Sequence, residues 1–127
     1  MKKIVLLLSY SAFLFAFSGA NAEEMTTETA RSPGDMTVEE RREMMEVAAK
    51  YDNCVYSQAM TSIGDHDDIR TVADLALEEC KTKLTDLEGL ITGWGMPSGY
   101  SESFSNRIRQ RATRKLLPEL AIRKAGG

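Results

Sequence analysis

Cys54 and Cys80 are the two cysteines of the chain, and the chemistry their placement favours is with each other. No Cys-x-x-Cys pair is present, so a thiol–disulfide exchange centre is not indicated. A second candidate is the run Asp65-His66-Asp67-Asp68, one imidazole among three carboxylates, which could in principle hold a divalent cation. Zinc and copper sites draw ligands from separated elements at ordered spacing, and a calcium loop needs alternating oxygen ligands, a glycine at the sixth place and a closing glutamate. The run has neither pattern and reads as an exposed turn whose aspartates cap the next helix.

The remaining inventory points away from catalysis. His66 is the single histidine and would be the only imidazole base available to activate a serine. Paired carboxylates on helical surfaces are abundant for reasons of solubility, and no glycine-rich phosphate loop follows a strand. Methionine sulfur is soft enough to carry Cu(I), but beyond Met1 the methionines are scattered and only Met44-Met45 are adjacent. They read as compliant core filler. No catalytic residue, cofactor or metal ligand is therefore expected.

The residues with the clearest capacity to bind are basic. Arg107, Arg111, Arg114 and Lys115 fall within about 100° of arc on a helix, beside an apolar stripe of Ile108, Ala112, Leu116 and Leu120 into which Arg109 intrudes. Such a face suits anionic lipid or an acidic protein. It can equally lie against an acidic flank of its own chain. Trp94, the single tryptophan, stands between Gly93 and Gly95 with Tyr100 and Phe104 downstream. It is either a plug over the helix ends or an exposed aromatic anchor.

These residues require helices to position them. Thr37 and Glu40 have the spacing of a capping box, and Met44, Ala48, Tyr51, Val55, Ala59 and Ile63 then recur on one helical face. Gly64 ends that run. Asp67 or Asp68 caps a second helix carrying Ile69, Val72, Ala73, Ala76, Cys80, Leu84, Leu87 and Ile91. Cys54 lies ten residues before Gly64 and Cys80 twelve after Asp68, heights of about 15 and 18 Å in an antiparallel pair, so the sulfurs are nearly level. Gly93 to Pro97 breaks the second helix. Ser101 suits the N-cap of a third, and Pro118, which has no N–H and would strike the carbonyl of Arg114, should kink or restart it near Leu117.

The fold class expected is all-α: a disulfide-pinned antiparallel helical hairpin with a third basic amphipathic helix packed on it. Residues 37–127 form this one small domain. Residues 23–36 are polar, carry Pro33-Gly34 and read as a disordered lead-in. Before them, Lys2-Lys3, an apolar run from Ile4 to Phe17 and Ala20-Asn21-Ala22 have the three parts of a cleavable signal peptide over residues 1–22, with cleavage between Ala22 and Glu23. The apolar run is short for a membrane anchor, which needs about twenty residues. The destination expected is the periplasm, with secretion beyond it the alternative, and no transmembrane span once the signal is removed.

Charge divides along the chain. From Glu23 to Pro97 there are seventeen acidic and seven basic side chains; from Ser98 to the end, two acidic and seven basic. Nucleic acid shares the charge logic of the basic segment but fits an exported protein poorly. The function expected is that of an exported, non-catalytic binding protein that contacts an acidic protein or anionic envelope component through the third helix and Trp94. A chaperone-like stress protein using methionine and aliphatic surface is the first alternative, and a metal carrier or small enzyme the second.

Overall fold

The computed structural model describes residues 31–127, so the expected signal peptide and its cleavage point at Ala22 and Glu23 lie outside the described residues. The described chain is all-helical: a short 3-10 turn, Pro33–Asp35, then α1 (Val38–Ser62), α2 (Ile69–Glu79), α3 (Lys81–Gly93) and α4 (Ser98–Gly126). The disulfide between Cys54 and Cys80 is present, with the Cα atoms 5.9 Å apart. No described helix is long and apolar enough to cross a membrane.

α1 starts where its sequence directs. The Thr37 hydroxyl accepts from the Glu40 N–H at 3.1 Å, and the Glu40 carboxylate accepts from the Thr37 N–H at 2.8 Å, so two amides that would otherwise lack partners are satisfied. One face of α1 then buries Met44, Ala48, Tyr51, Val55 and Ala59. Opposite it, α2 and α3 bury Val72, Ala73, Ala76, Leu77, Leu84, Leu87 and Ile91, and α4 closes the core with Ile108, Ala112, Leu116 and Leu120. Small side chains at Ala48, Ala59, Ala73, Ala76, Ser101 and Ser105 lie fully or almost fully buried, which lets the helix axes approach closely.

The second limb departs from the expected single helix. It is two helices that meet at Cys80, whose backbone sits at φ −96°, ψ 1° and caps α2 while opening α3. The Cys80 N–H still reaches the Ala76 carbonyl, and the Cys80 carbonyl accepts from the Lys83 N–H at 3.1 Å, a shorter-range bond that tightens the turn. No glycine or proline marks this break, and the apolar spacing from Ala76 through Cys80, Leu84 and Leu87 runs across it undisturbed. The break therefore belongs to the tertiary arrangement around the disulfide.

α4 differs from expectation at its start. It begins at Ser98, directly after Pro97, and Ser101 is an interior residue, 1% exposed, whose hydroxyl donates to the Ser98 carbonyl. It does not restart at Pro118 but continues to Gly126. Pro118 is exposed, so the carbonyl of Arg114 that loses its donor has solvent available in its place.

Residues Arg31–Met36, placed by sequence within the lead-in, are seated on the helices. Met36 is buried at the edge of the core. The Arg31 N–H donates to the Gly95 carbonyl, and the Arg31 side chain is the most heavily bonded in the described chain. At the far end of α1, the Lys124 ammonium donates to the carbonyls of Ile63 and His66 and so holds the last turns of α4 against the α1–α2 turn.

Candidate functional site

Three surfaces carry polar groups that the fold concentrates. The first is the solvent face of α4. Arg107, Arg114 and Lys115 are exposed on it and form no ion pair or hydrogen bond among the described residues. The Arg107 guanidinium lies over the Phe104 ring at 5.7 Å, and Phe104 in turn stacks with Tyr100. Arg111 is different: it donates to the Asp52 carboxylate of α1 at 3.1 Å through one nitrogen. That pair is single-pronged, since Asp52 Oδ1 and Arg111 Nε are buried without partners. Of the four basic residues predicted to share an arc, one is thus committed to the fold and three remain available. Beside Lys115 a hollow of about 420 Å³ opens between α1 and α4, walled by Asp52, Tyr56, Leu116 and Glu119.

The second surface is the α3–α4 loop around Trp94. Trp94 is half-buried and packs against the core. The loop is held from the N-terminal side. Arg31 Nη1 donates to the Trp94 carbonyl at 2.9 Å, while its two terminal nitrogens grip Glu40 Oε1 and Oε2 at 2.8 and 2.9 Å. This two-pronged geometry is the strong form of a charge-assisted bond. The Arg31 guanidinium and the Thr37 N–H hold the Glu40 carboxyl down to about 2 from its ordinary 4.5, and the same bond raises Arg31. Gly95, next to Trp94, has φ +83°, a left-handed conformation that glycine adopts without a Cβ penalty. Sequence reasoning missed this clamp, although Ser32 and Asp35 carried its signal as a second capping box around Pro33-Gly34.

The third surface is a cleft between the α2–α3 limb and α4, of about 600 Å³. Asp74, Glu78, Lys81 and Glu88 line one side, and Ser105, Asn106 and Arg109 the other. Ser105 is buried and its hydroxyl donates to Glu88 across the cleft, while Glu78 pairs with Lys81. Tyr51 of α1 forms part of the wall from beneath. Its side chain is 0% exposed and its hydroxyl has no hydrogen-bond partner among the described residues. Burial pushes that phenol up; Arg109 pulls it down and Asp52 adds to the rise. An adjoining hollow of about 420 Å³ shares Asp74, Leu77, Asn106 and Arg109 and extends the cleft to Arg114.

Asp68 caps α2, its carboxylate accepting from the Arg70 N–H at 2.8 Å, as the turn reading required. His66 presents its carbonyl to Lys124, and among the described residues no three His, Cys, Asp or Glu side chains gather as a metal ion would need. No family model matches the chain, and no curated protein or solved structure matches it significantly.

Proposed function

We propose that this is an exported, non-catalytic binding protein of the periplasm. Its α1 and α2–α3 limbs would act as a disulfide-pinned antiparallel hairpin presenting α4 to an anionic or acidic partner. The observation that carries the reading is the state of three cations: Arg107, Arg114 and Lys115 are exposed together on α4 and are not neutralised within the described chain. The opposite side of the same helix is spent on the core through Ile108, Ala112, Leu116 and Leu120. The alternative, in which these cations only serve the acidic hairpin, is supported for Arg111 alone. Export is supported by the tripartite N-terminal sequence and by the disulfide, a bond that persists in oxidising compartments.

Association through unpaired surface charge is screened by salt, with a Debye length of about 10 Å at 0.1 M. The test is co-sedimentation with vesicles of phosphatidylglycerol and, in parallel, retention on immobilised poly-glutamate, each at low and high salt. Association with at least one of them, weakened by salt and abolished by the triple variant Arg107→Glu, Arg114→Glu, Lys115→Glu, is the expected result. Arg111 is left intact so that its bond to Asp52 is kept. Undiminished association of the triple variant, or none by the parent protein, overturns the reading.

A further inference from the structure

We propose, on the reading of α4 just given, that its acidic partner is a second copy of this chain, the two copies pairing antiparallel along the outer flank of α1.

Three of the large apolar side chains left exposed lie on that flank: Val38 at 76%, Met45 at 46% and Tyr56 at 42%. Exposed Ala49 stands with them. These residues lie 7, 11 and 18 positions after Val38, so at about 100° per residue all four fall within about 20° of one line down the helix. The strip is about 27 Å long by the helical rise. It runs beside α4, since Asp52 at its edge accepts from Arg111 and Tyr56 accepts from Arg123.

The strip is its own complement. A two-fold interface sets each residue against its mirror position on the other copy. Val38 and Tyr56 are each nine residues from Val47, and Met45 and Ala49 each two. In an antiparallel pair with its axis at the level of Val47, Val38 therefore meets the partner's Tyr56 and Met45 meets the partner's Ala49. Met45 against alanine is the large-to-small match that lets helices interdigitate. Val38 also arrives at the hollow of about 420 Å³ between Tyr56, Lys115 and Leu116, which gives the most exposed of these side chains a socket.

Charge completes the match. Arg42 and Asp52 are each five residues from Val47 and on opposite edges of the strip, so Arg42 comes level with the partner's Asp52 on a shared edge. Glu39 and Glu46 lie beyond the edge away from their own α4, the side that the two-fold axis turns toward the partner's α4. α1 and α4 run parallel, with Arg111 bonded to Asp52 and Lys124 to Ile63. Lys115 is therefore level with Tyr56 and the partner's Glu39, and Arg107 with Ala48 and the partner's Glu46. Glu39, Arg107 and Lys115 form no ion pair among the described residues, and Arg42 and Glu46 share only an exposed contact at 4.0 Å. A foreign acidic helix would match the charge but has no need of a strip that mirrors itself.

Sedimentation velocity of the purified protein over a concentration series tests this. The parent is expected to pass from monomer to dimer as concentration rises. Met45→Glu should weaken the dimer at least tenfold, because it places a charge in the apolar centre of the contact. Its circular dichroism spectrum and its retention on poly-glutamate should be those of the parent, which separates loss of the dimer from loss of the fold or of the basic arc. Lys115→Glu should weaken the dimer about fivefold, as for two surface ion pairs, and adding Glu39→Lys to the same chain should restore it. A parent that is monomeric throughout, a Met45→Glu variant that dimerises like the parent, or no rescue by Glu39→Lys would overturn the proposal. Retention on poly-glutamate without a dimer ends this proposal and leaves the reading of α4; a dimer without retention does the reverse.

Discussion

Reduction of the Cys54–Cys80 bond should lower the stability of this domain by several kilocalories per mole, and the size follows from the position of the bond. The two residues are 26 apart in sequence, so the bridge closes a 27-residue loop in the unfolded chain. The chain-entropy relation gives about 3.6 kcal/mol at 25 °C for such a loop. Against the 5–15 kcal/mol typical of folded domains this is a large fraction. One kilocalorie per mole moves the midpoint of a domain of this size by about 4–8 °C, so the transition should fall by about 14–29 °C. Thermal unfolding followed by circular dichroism, with and without a phosphine reductant, measures it. Reduced wild-type protein is the better arm than a serine variant, because Cys80 is 0% exposed and a buried hydroxyl would add its own penalty. The urea dependence should also steepen on reduction, since the freed chain exposes more surface when it unfolds. A midpoint shift below about 4 °C would refute the loop-closure account.

Two further perturbations probe the Arg31–Glu40 clamp and the proline inside α4. The Glu40 carboxyl is held down to about 2 in the fold, so its contribution is complete above the ordinary value of 4.5 and is lost as pH falls from there toward 2. Melting temperature should therefore drop more steeply over that window in the parent than in Glu40→Gln, and parallel curves would show that the Arg31 clamp contributes nothing. Pro118 stands exposed inside α4, where proline is less favourable than alanine by about 3 kcal/mol in an unstrained helix. Pro118→Ala should raise the melting temperature by several degrees; a fall would mean that the shape proline imposes is needed to seat Lys124.

The parts of the fold legible in the sequence were those written in local spacing. Apolar residues three and four apart marked α1 and α4, Thr37 with Glu40 marked the start of α1, and the similar distances of Cys54 and Cys80 from the intervening turn placed the bridge. The break at Cys80 left no such trace, because the same apolar rhythm serves one helix or two. At Ser101 a good capping residue was outcompeted: Pro97 fixes the chain direction four residues earlier, and the Ser101 hydroxyl turns to the Ser98 carbonyl inside α4. The basic arc was visible as an arc, but the withdrawal of Arg111 to Asp52 was not, since that pair is 59 residues apart. Arg109 was noticed only as an interruption of the apolar stripe.

The two latches at Arg31 and Lys124 have a mechanical consequence. Arg31 grips the chain at the first turn of α1 and Lys124 grips it just beyond the last, and the 25 residues of that helix span about 37 Å. Tension applied between Arg31 and the C-terminal residue would therefore enter at opposite poles and load the helices in shear along their length. Each handle must tear loose from a turn before any helix can peel away, and the segment inside the sulfur bridge cannot lengthen at all.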